Sequence, residues 1–558
     1  MIISKAMRFC AILMALLLVF LSGCTANKKN TGSVNFAGTD WEVTEYDKAE
    51  IIDSNGQYIT DKLTPATVVE LKTVGDKQVI YHLGKPFLMR GMHFRIDNLE
   101  TARDYQHCPH PIDDAEMRQI FDDGMRHIKE SSFNTVSIYL AISDMYDGKK
   151  VDFSLLEYQY SVAKKYDLNI VITWFGHMVC GFGGYQSWQK QNTERYPALK
   201  DENGNICHVN NDSSNKMIPD FSGVGFIEDE AYVLEQICAW LNVNDTDRRT
   251  VGIQIEDEPN NIEGGHGLWY SQYENVRDFI GEMARTVKES AYSMLTYTTL
   301  MSSGWDSTIN GLNFKAQIKG LIDLPYLDST GYGYYSLDTT PHNDNIEQGD
   351  NPRFYVGFGA CQWNVPAQTN YLLSRGYNMC YYMLHLYKFD SDQNPNTTGL
   401  FYFKDKDNPF VYRDGSQILA GEYSGGLEVV TSEFIMMNQS ILGLSEIIAI
   451  SANDNMTYFN NLMETKIAES KAIGGKTFTF ETDCVGERYG ATALLIKESD
   501  TTYYTYASKT ATITVDEGIK SASEGVYRNG KWVKTKDVPV VDGKITYKAG
   551  KDYQLIIE

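Results

Sequence analysis

Between about Leu88 and Tyr387 the chain alternates short β-rich runs with amphipathic helical stretches, and few folds accommodate that pattern eight times over. The runs are Phe87–His93, Thr135–Ala141, Asn169–Phe175, Val251–Glu256, Met294–Leu300, Leu327–Tyr334, Arg353–Phe358 and Asn378–His385. They are largely apolar rather than alternating, as parallel strands covered on both faces should be. Met117, Ile120, Phe121, Met125 and Ile128 recur at helical spacing between the first two runs. Tyr232–Leu241 does the same behind three acids, Glu228-Asp229-Glu230, which suit a helix N-terminus. Asp278–Ala291 is a further helix, and the stretch Asn313–Ile322 is the weakest crossover. Eight such units predict an α/β chain built on a (β/α)8 TIM barrel over residues 81–450. A doubly wound open sheet is the alternative, but Gly91-Met92-His93 is not the Gly-rich phosphate turn it would carry after its first strand.

The flanks read differently. Past Lys476, β-rich runs such as Tyr503-Tyr504-Thr505-Tyr506 are separated by Asn529-Gly530 and Asp542-Gly543, which are hairpin turns. A small all-β, sandwich-like domain is expected over 470–558, and strand or loop material packing on the barrel over 41–80. At the other end, Lys5 and Arg8 precede an apolar run, Phe9–Leu21, of 13 residues. A membrane-crossing helix needs roughly 20, so the run fits the core of a secretory signal spanning 1–23, against the alternative of a short transmembrane anchor. Leu21-Ser22-Gly23-Cys24 resembles the bacterial lipobox, which implies lipid attachment at Cys24. A polar tether over 24–40 would follow, with export and anchoring to a bacterial membrane, at the cell surface or the periplasmic face.

A net charge of -23 argues against nucleic acid as a partner and against electrostatic docking on anionic lipid, leaving the acyl chains as the expected membrane contact. Beyond Cys10 and Cys24, seven scattered cysteines form no Cys-x-x-Cys or His/Cys cluster with zinc spacing. No metal, cofactor or disulfide scaffold is expected.

The fourth run ends in Gln254-Ile255-Glu256-Asp257-Glu258-Pro259-Asn260. Reactive groups in a barrel of this kind sit at the C-terminal ends of strands. Three successive carboxylates leaving an apolar strand are costly to desolvate unless something uses them. Strand alternation puts Glu256 and Glu258 on one face and Asp257 on the other. Against this stands a plain solvated acidic loop, which leaves the polar Gln254 and Glu256 inside an apolar strand unexplained.

Gly252-Ile253-Gln254-Ile255-Glu256-Asp257-Glu258 resembles the G-I-Q-x-E-N-E segment of clan A glycoside hydrolases, above all the β-galactosidases of families 35 and 42. Gly84–Gly91 is similar to the entry into their first strand, and Phe133-Asn134-Thr135-Val136 to the second. Trp174-Phe175-Gly176, with Trp188 and Arg195-Tyr196-Pro197, resembles the W-F-G loop and R-[FY]-P of related bacterial sugar hydrolases. The resemblance implies an oligo- or polysaccharide partner, possession of a β-galactosidase-like hydrolytic activity, and Glu258 as general acid/base.

Two departures follow from it. Asp257 stands where relatives carry Asn, and an ionised Asp only accepts hydrogen bonds. Gly357 stands where the strand-seven nucleophile is expected, and no Asp or Glu occurs from Asn351 to Phe389. The leading expectation is a hydrolase for a β-linked, galactose-containing glycan; the alternatives are a catalytically impaired glycan-binding protein on the same barrel, or a barrel serving only as scaffold. Asp390 is the nearest acid by chain position for an inverting mechanism. Glu256, Asp257, Trp174, His177, Tyr335 and His385 are the expected sugar contacts, the rings stacking on pyranose C–H faces and polar tips reaching hydroxyls.

Overall fold

Eight strands run parallel in one sheet, and their spatial order follows the chain. They are β1 (Arg90–His93), β2 (Thr135–Ala141), β3 (Asn169–Val179) and β4 (Thr250–Asp257), then β5 (Leu295–Leu300), β6 (Ser329–Tyr332), β7 (Arg353–Val356) and β8 (Tyr377–Tyr381). The order across the sheet is β6-β5-β4-β3-β2-β1-β8-β7. The end strands β6 and β7 come within 8 Å of each other at Cα, so the sheet curls back on itself. No ladder hydrogen bond joins those two among the described residues. The structure is a computed structural model; it describes residues 33–36, 39–42, 44–75, 77–94, 114–179, 182–208, 217–259, 272–300, 319–332, 353–356, 365–381, 387–389, 401–405, 408–414, 430–460, 468–482 and 491–557.

Each strand falls on one of the β-rich runs, because a parallel sheet covered by helices needs continuous apolar segments. β4, for example, is buried from Thr250 through Glu256. The covering helices are α1 (Asp114–Glu130), α2 (Ser154–Lys165), α3 (Val224–Asn244), α4 (Tyr273–Glu289), α5 (Val365–Ser374), α6 (Val430–Gly443) and α7 (Ser445–Ile450). Inside the curl the side chains are polar: Ser137 and Thr173 hydroxyls lie 2.6 Å apart, and His93 Nε2 lies 3.1 Å from Thr173 Oγ1. Residues of β3 two apart share a face, so Thr173 facing inward sends Trp174 outward to the helices.

The start of β4 is held by Asp245, a buried carboxylate at the end of α3. It accepts from Tyr292 Oη (2.6 Å), Tyr160 Oη (3.0 Å) and the amides of Arg249 (3.0 Å) and Thr250 (2.8 Å). The preceding segment is tied to α3, where Gln236 accepts from the Tyr58 amide (2.7 Å) and donates to its carbonyl (2.9 Å). A hairpin of Val69–Val74 with Lys77–His82 leads into β1.

After a three-stranded sheet (Tyr387–Phe389, Phe401–Asp405, Asn408–Asp414), ten antiparallel strands complete the chain. They are β9 (Met456–Asn460), β10 (Ala468–Ile473), β11 (Lys476–Glu481), β12 (Thr492–Lys497), β13 (Thr502–Ala507), β14 (Thr512–Val515), β15 (Ile519–Arg528), β16 (Lys531–Val538), β17 (Lys544–Thr546) and β18 (Asp552–Ile557). One sheet runs β9-β12-β13-β18-β15-β16 and the other β10-β11-β14-β17. They share an apolar core that includes Phe459, Leu495 and Leu555 from the first and Phe478, Phe480 and Ile513 from the second. The first of these strands begins at Met456, earlier than the expected boundary at 470, because β9 pairs with β12. Residues 1–50 form a separate unit whose described strands, Ser33–Phe36 and Thr39–Glu42, make a hairpin.

Candidate active site

The geometry of the site begins with a mismatch between β3 and β4. Ile255 pairs with Trp174, but Asp257 pairs with Val179, so β3 bulges over the intervening residues. Glu256 fills that bulge: its Oε1 accepts from the His177 amide (2.9 Å), and its Oε2 from the amides of Met178 (3.0 Å) and Gly176 (3.1 Å). Glu256 and Glu258 take left-handed backbone, with φ of 59° and 43°. L-residues enter that region only when their surroundings hold them there. This corrects the alternation argument, which has no place for a left-handed residue within the strand. Glu256 is fully buried against α3, while Glu258 is partly exposed.

Glu230 of α3 meets the same bulge from the helix side. Its carboxylate accepts from Trp174 Nε1 (2.9 Å), the His177 amide (3.1 Å) and His177 Nδ1 (2.7 Å). The ring tautomer follows from Gln189, whose Oε1 accepts from the Gln186 amide (2.9 Å). That orients the Gln189 Nε2 amino group as donor to His177 Nε2 (2.8 Å) and leaves the ring proton on Nδ1, facing Glu230. Next to it, Asp229 accepts from Tyr196 Oη (2.9 Å) and Trp188 Nε1 (3.0 Å).

Trp174 is 0% exposed, His177 2% and Glu256 0%, so none of the three presents a face to a sugar as expected from the sequence. The residues of the W-F-G and R-Y-P segments anchor the loop after β3 onto α3 instead. Gly176 is required for the same reason: a Cβ there would stand 2.1 Å from a Glu230 carboxylate oxygen. The acids read as helix-terminus charges lie beyond the first turn of α3, which begins at Val224 and has no acid in that turn. Glu228 alone remains on the surface, paired with Arg195 at 2.8 Å.

Glu256 titrates well above its ordinary value, first because it is buried, then because the Glu230 carboxyl lies beside it and hydrogen-bonds to it. The sign for stability follows. Above the ordinary 4.5 the unfolded chain has released this proton while the folded chain keeps it, so stability falls as pH rises until Glu256 ionises in place. Burial pushes Asp552 up as well, which adds to the slope. Glu256→Gln is therefore expected to flatten, without abolishing, the loss of stability with rising pH; urea midpoints across the weakly acidic to alkaline range measure it.

At the C-terminal end of β4 the other two acids face a polar clamp. Asp257 Oδ1 accepts from Gln254 Nε2 (2.9 Å) and from the Thr299 hydroxyl (3.1 Å). Thr299 Oγ1 in turn accepts from Gln254 Nε2 (2.9 Å) and the Glu258 amide (3.4 Å). Gln254 Oε1 is buried without a hydrogen-bond partner among the described residues. Thr299 and Gln189 are neighbours of this site that the sequence reading passed over, and Glu230 entered it only as a helix-terminus charge. Only Thr299 carried a signal, as the last of three threonines in the fifth run, next to its C-terminal end.

Tyr335, His385, Gly357, Asp390 and Cys24 lie outside the described residues. Among the described residues no group of three or more His, Cys, Asp or Glu side chains is placed to hold a metal ion.

No protein-family model matches the chain, and no curated protein does. Similar solved structures include a family 39 glycoside hydrolase from Bacteroides cellulosilyticus WH2, at 12% identity and a TM-score of 0.39, covering 86% of this chain and 84% of that one. Others are the exo-β-1,4-mannosidase Op5Man5 from Opitutaceae bacterium strain TAV5 (11%, 0.41, 72% and 63%) and a β-galactosidase from Marinomonas ef1 (10%, 0.40, 65% and 62%). Likeness at this level bears on neither activity nor substrate.

Proposed function

We propose that the chain is a glycoside hydrolase on a complete (β/α)8 barrel, acting on a β-linked, galactose-containing glycan with Glu258 as general acid/base. One observation carries the reading: Asp257 and Glu258 emerge together at the C-terminal end of β4, with Asp257 oriented by Gln254 and Thr299 and Glu258 partly exposed. That end of a parallel sheet is where ligands meet side chains. A carboxyl there can protonate a glycosidic oxygen as the bond to the leaving group breaks. Asp257 is suited to accept from a sugar hydroxyl rather than donate to one.

A second reading, glycan binding without turnover, is favoured by one fact of the sequence, the absence of Asp and Glu from Asn351 to Phe389. Under the first reading inversion needs a second carboxylate as base, for which Asp390 is the nearest candidate by chain position, against a plain solvated loop acid. A glycan-array screen paired with a hydrolysis assay on the same preparation separates the two: hits without turnover support binding alone. The anomeric configuration of the first-formed product, read by NMR, then distinguishes inversion from retention.

The proposal includes export and lipid anchoring through Cys24. Cys24→Ser is expected to move the protein from the membrane to the soluble fraction with its circular dichroism unchanged, and a variant still wholly with the membrane would place the anchor elsewhere.

A further inference from the structure

The Glu230–Glu256 pair is more elaborate than packing requires. Glu256 grips three successive amides of the β3 bulge, those of Gly176, His177 and Met178, at 2.9–3.1 Å. Glu230 grips the same bulge from α3 through the Trp174 indole and both donors of His177. The Glu230 carboxyl lies beside that of Glu256 and, after burial, is what holds Glu256 above its ordinary value. His177 and Gln189 face the pair from the β3 side, and Asp229 stands next to Glu230 on α3. On β4 the grip falls on a left-handed residue, and two positions further on Glu258 is left-handed again. The intervening Asp257 is held independently by Gln254 and Thr299.

We propose that Glu230 and Glu256 are positioning residues for Glu258. They fasten the tail of β3 to the end of β4 and hold the left-handed turn that carries Glu258 out of the sheet. Neither touches substrate. The inference rests on the reading of Glu258 as the acid, but the fastening itself is measurable without turnover. A carboxyl one methylene shorter at 256 no longer spans the bulge. An amide of equal length keeps the span: its oxygen can still accept from the Gly176 and Met178 amides, while its amino group gives up the His177 amide, which Glu230 also accepts, and donates to Glu230. Displacing a reacting group by about 1 Å costs on the order of 10²-fold in rate.

The test compares Glu256→Asp with Glu256→Gln in the full-length protein. Amide hydrogen exchange of peptides covering 175–179 and 255–259 should speed up at least tenfold in Glu256→Asp, and Glu256→Gln should restore protection. With lactose as probe, whose leaving group needs protonation, Glu256→Asp should lower kcat about 10²-fold with KM little changed, and Glu256→Gln should recover most of that loss. Should Glu256→Asp fail to fold, Trp174→Phe, which removes a single donor to Glu230, should give the same pattern at a few-fold size. Unchanged exchange in Glu256→Asp would overturn the proposal, as would a Glu256→Gln variant as impaired as Glu256→Asp. If the wild type does not turn over the probe while exchange responds as expected, the fastening stands and the galactoside reading of the site falls.

Discussion

Glu258→Gln is expected to slow hydrolysis of a natural glycan by about 10²–10⁴-fold, the range lost when a positioned general acid is removed. The amide has the carboxyl's size but no proton to give to a leaving oxygen. Because Glu258 is partly exposed, its replacement by Gln should leave the urea midpoint near that of the wild type. Activated aryl glycosides need little protonation, so their first step should suffer less than that of the glycan. The contrast between the two substrates is the diagnostic measurement. Turnover of a natural glycan by Glu258→Gln at close to the wild-type rate would remove Glu258 from the mechanism.

Glu230→Ala should be the most destabilising single change at the site, by about 3–5 kcal/mol, the usual cost of breaking a buried polar pair from one side. The Trp174 indole and His177 Nδ1 lose their acceptor inside a region closed to water, while the His177 amide keeps Glu256. Each buried donor left unsatisfied costs on the order of 1–3 kcal/mol. Glu256 also loses the neighbouring carboxyl that helps hold it above its ordinary value, so it should ionise at lower pH. A urea titration followed by tryptophan fluorescence is the natural readout, since Trp174 sits in the affected network. A midpoint like that of the wild type would mean the network is dispensable. Glu230→Gln should recover part of the loss, because its amide oxygen still accepts but its amino group opposes one of the donors.

The two changes separate chemistry from scaffold within a short span of the structure. Glu258 is expected to affect rate and leave stability alone, whereas Glu230 is expected to affect both. A third class, represented by Asp245, ties the opposite end of β4 and should affect stability only.

What could be read from the residues alone was whatever depends on local pattern. The eight parallel strands fall where runs rich in apolar and β-branched residues lie, since a strand covered by helices must be apolar at least on that face. Asn529-Gly530 joins β15 to β16, with φ of 52° and 71°, because that pair enters the left-handed turn at little cost. Even the carboxylate run at the end of β4 was conspicuous in sequence, since charge on a buried strand needs an explanation. The assignment of faces was not legible. Alternation sent Glu256 to the side of Glu258, and their place at the end of the third run put Trp174 and His177 at a sugar; neither inference allowed for a bulge. The bulge exists because Glu230 arrives from α3 and Glu256 from β4 to satisfy the same turn of backbone amides and side-chain donors. Those groups come together only when helix and sheet pack. The period of a strand is a local property of the chain, but the residue at which it breaks was decided by tertiary contacts.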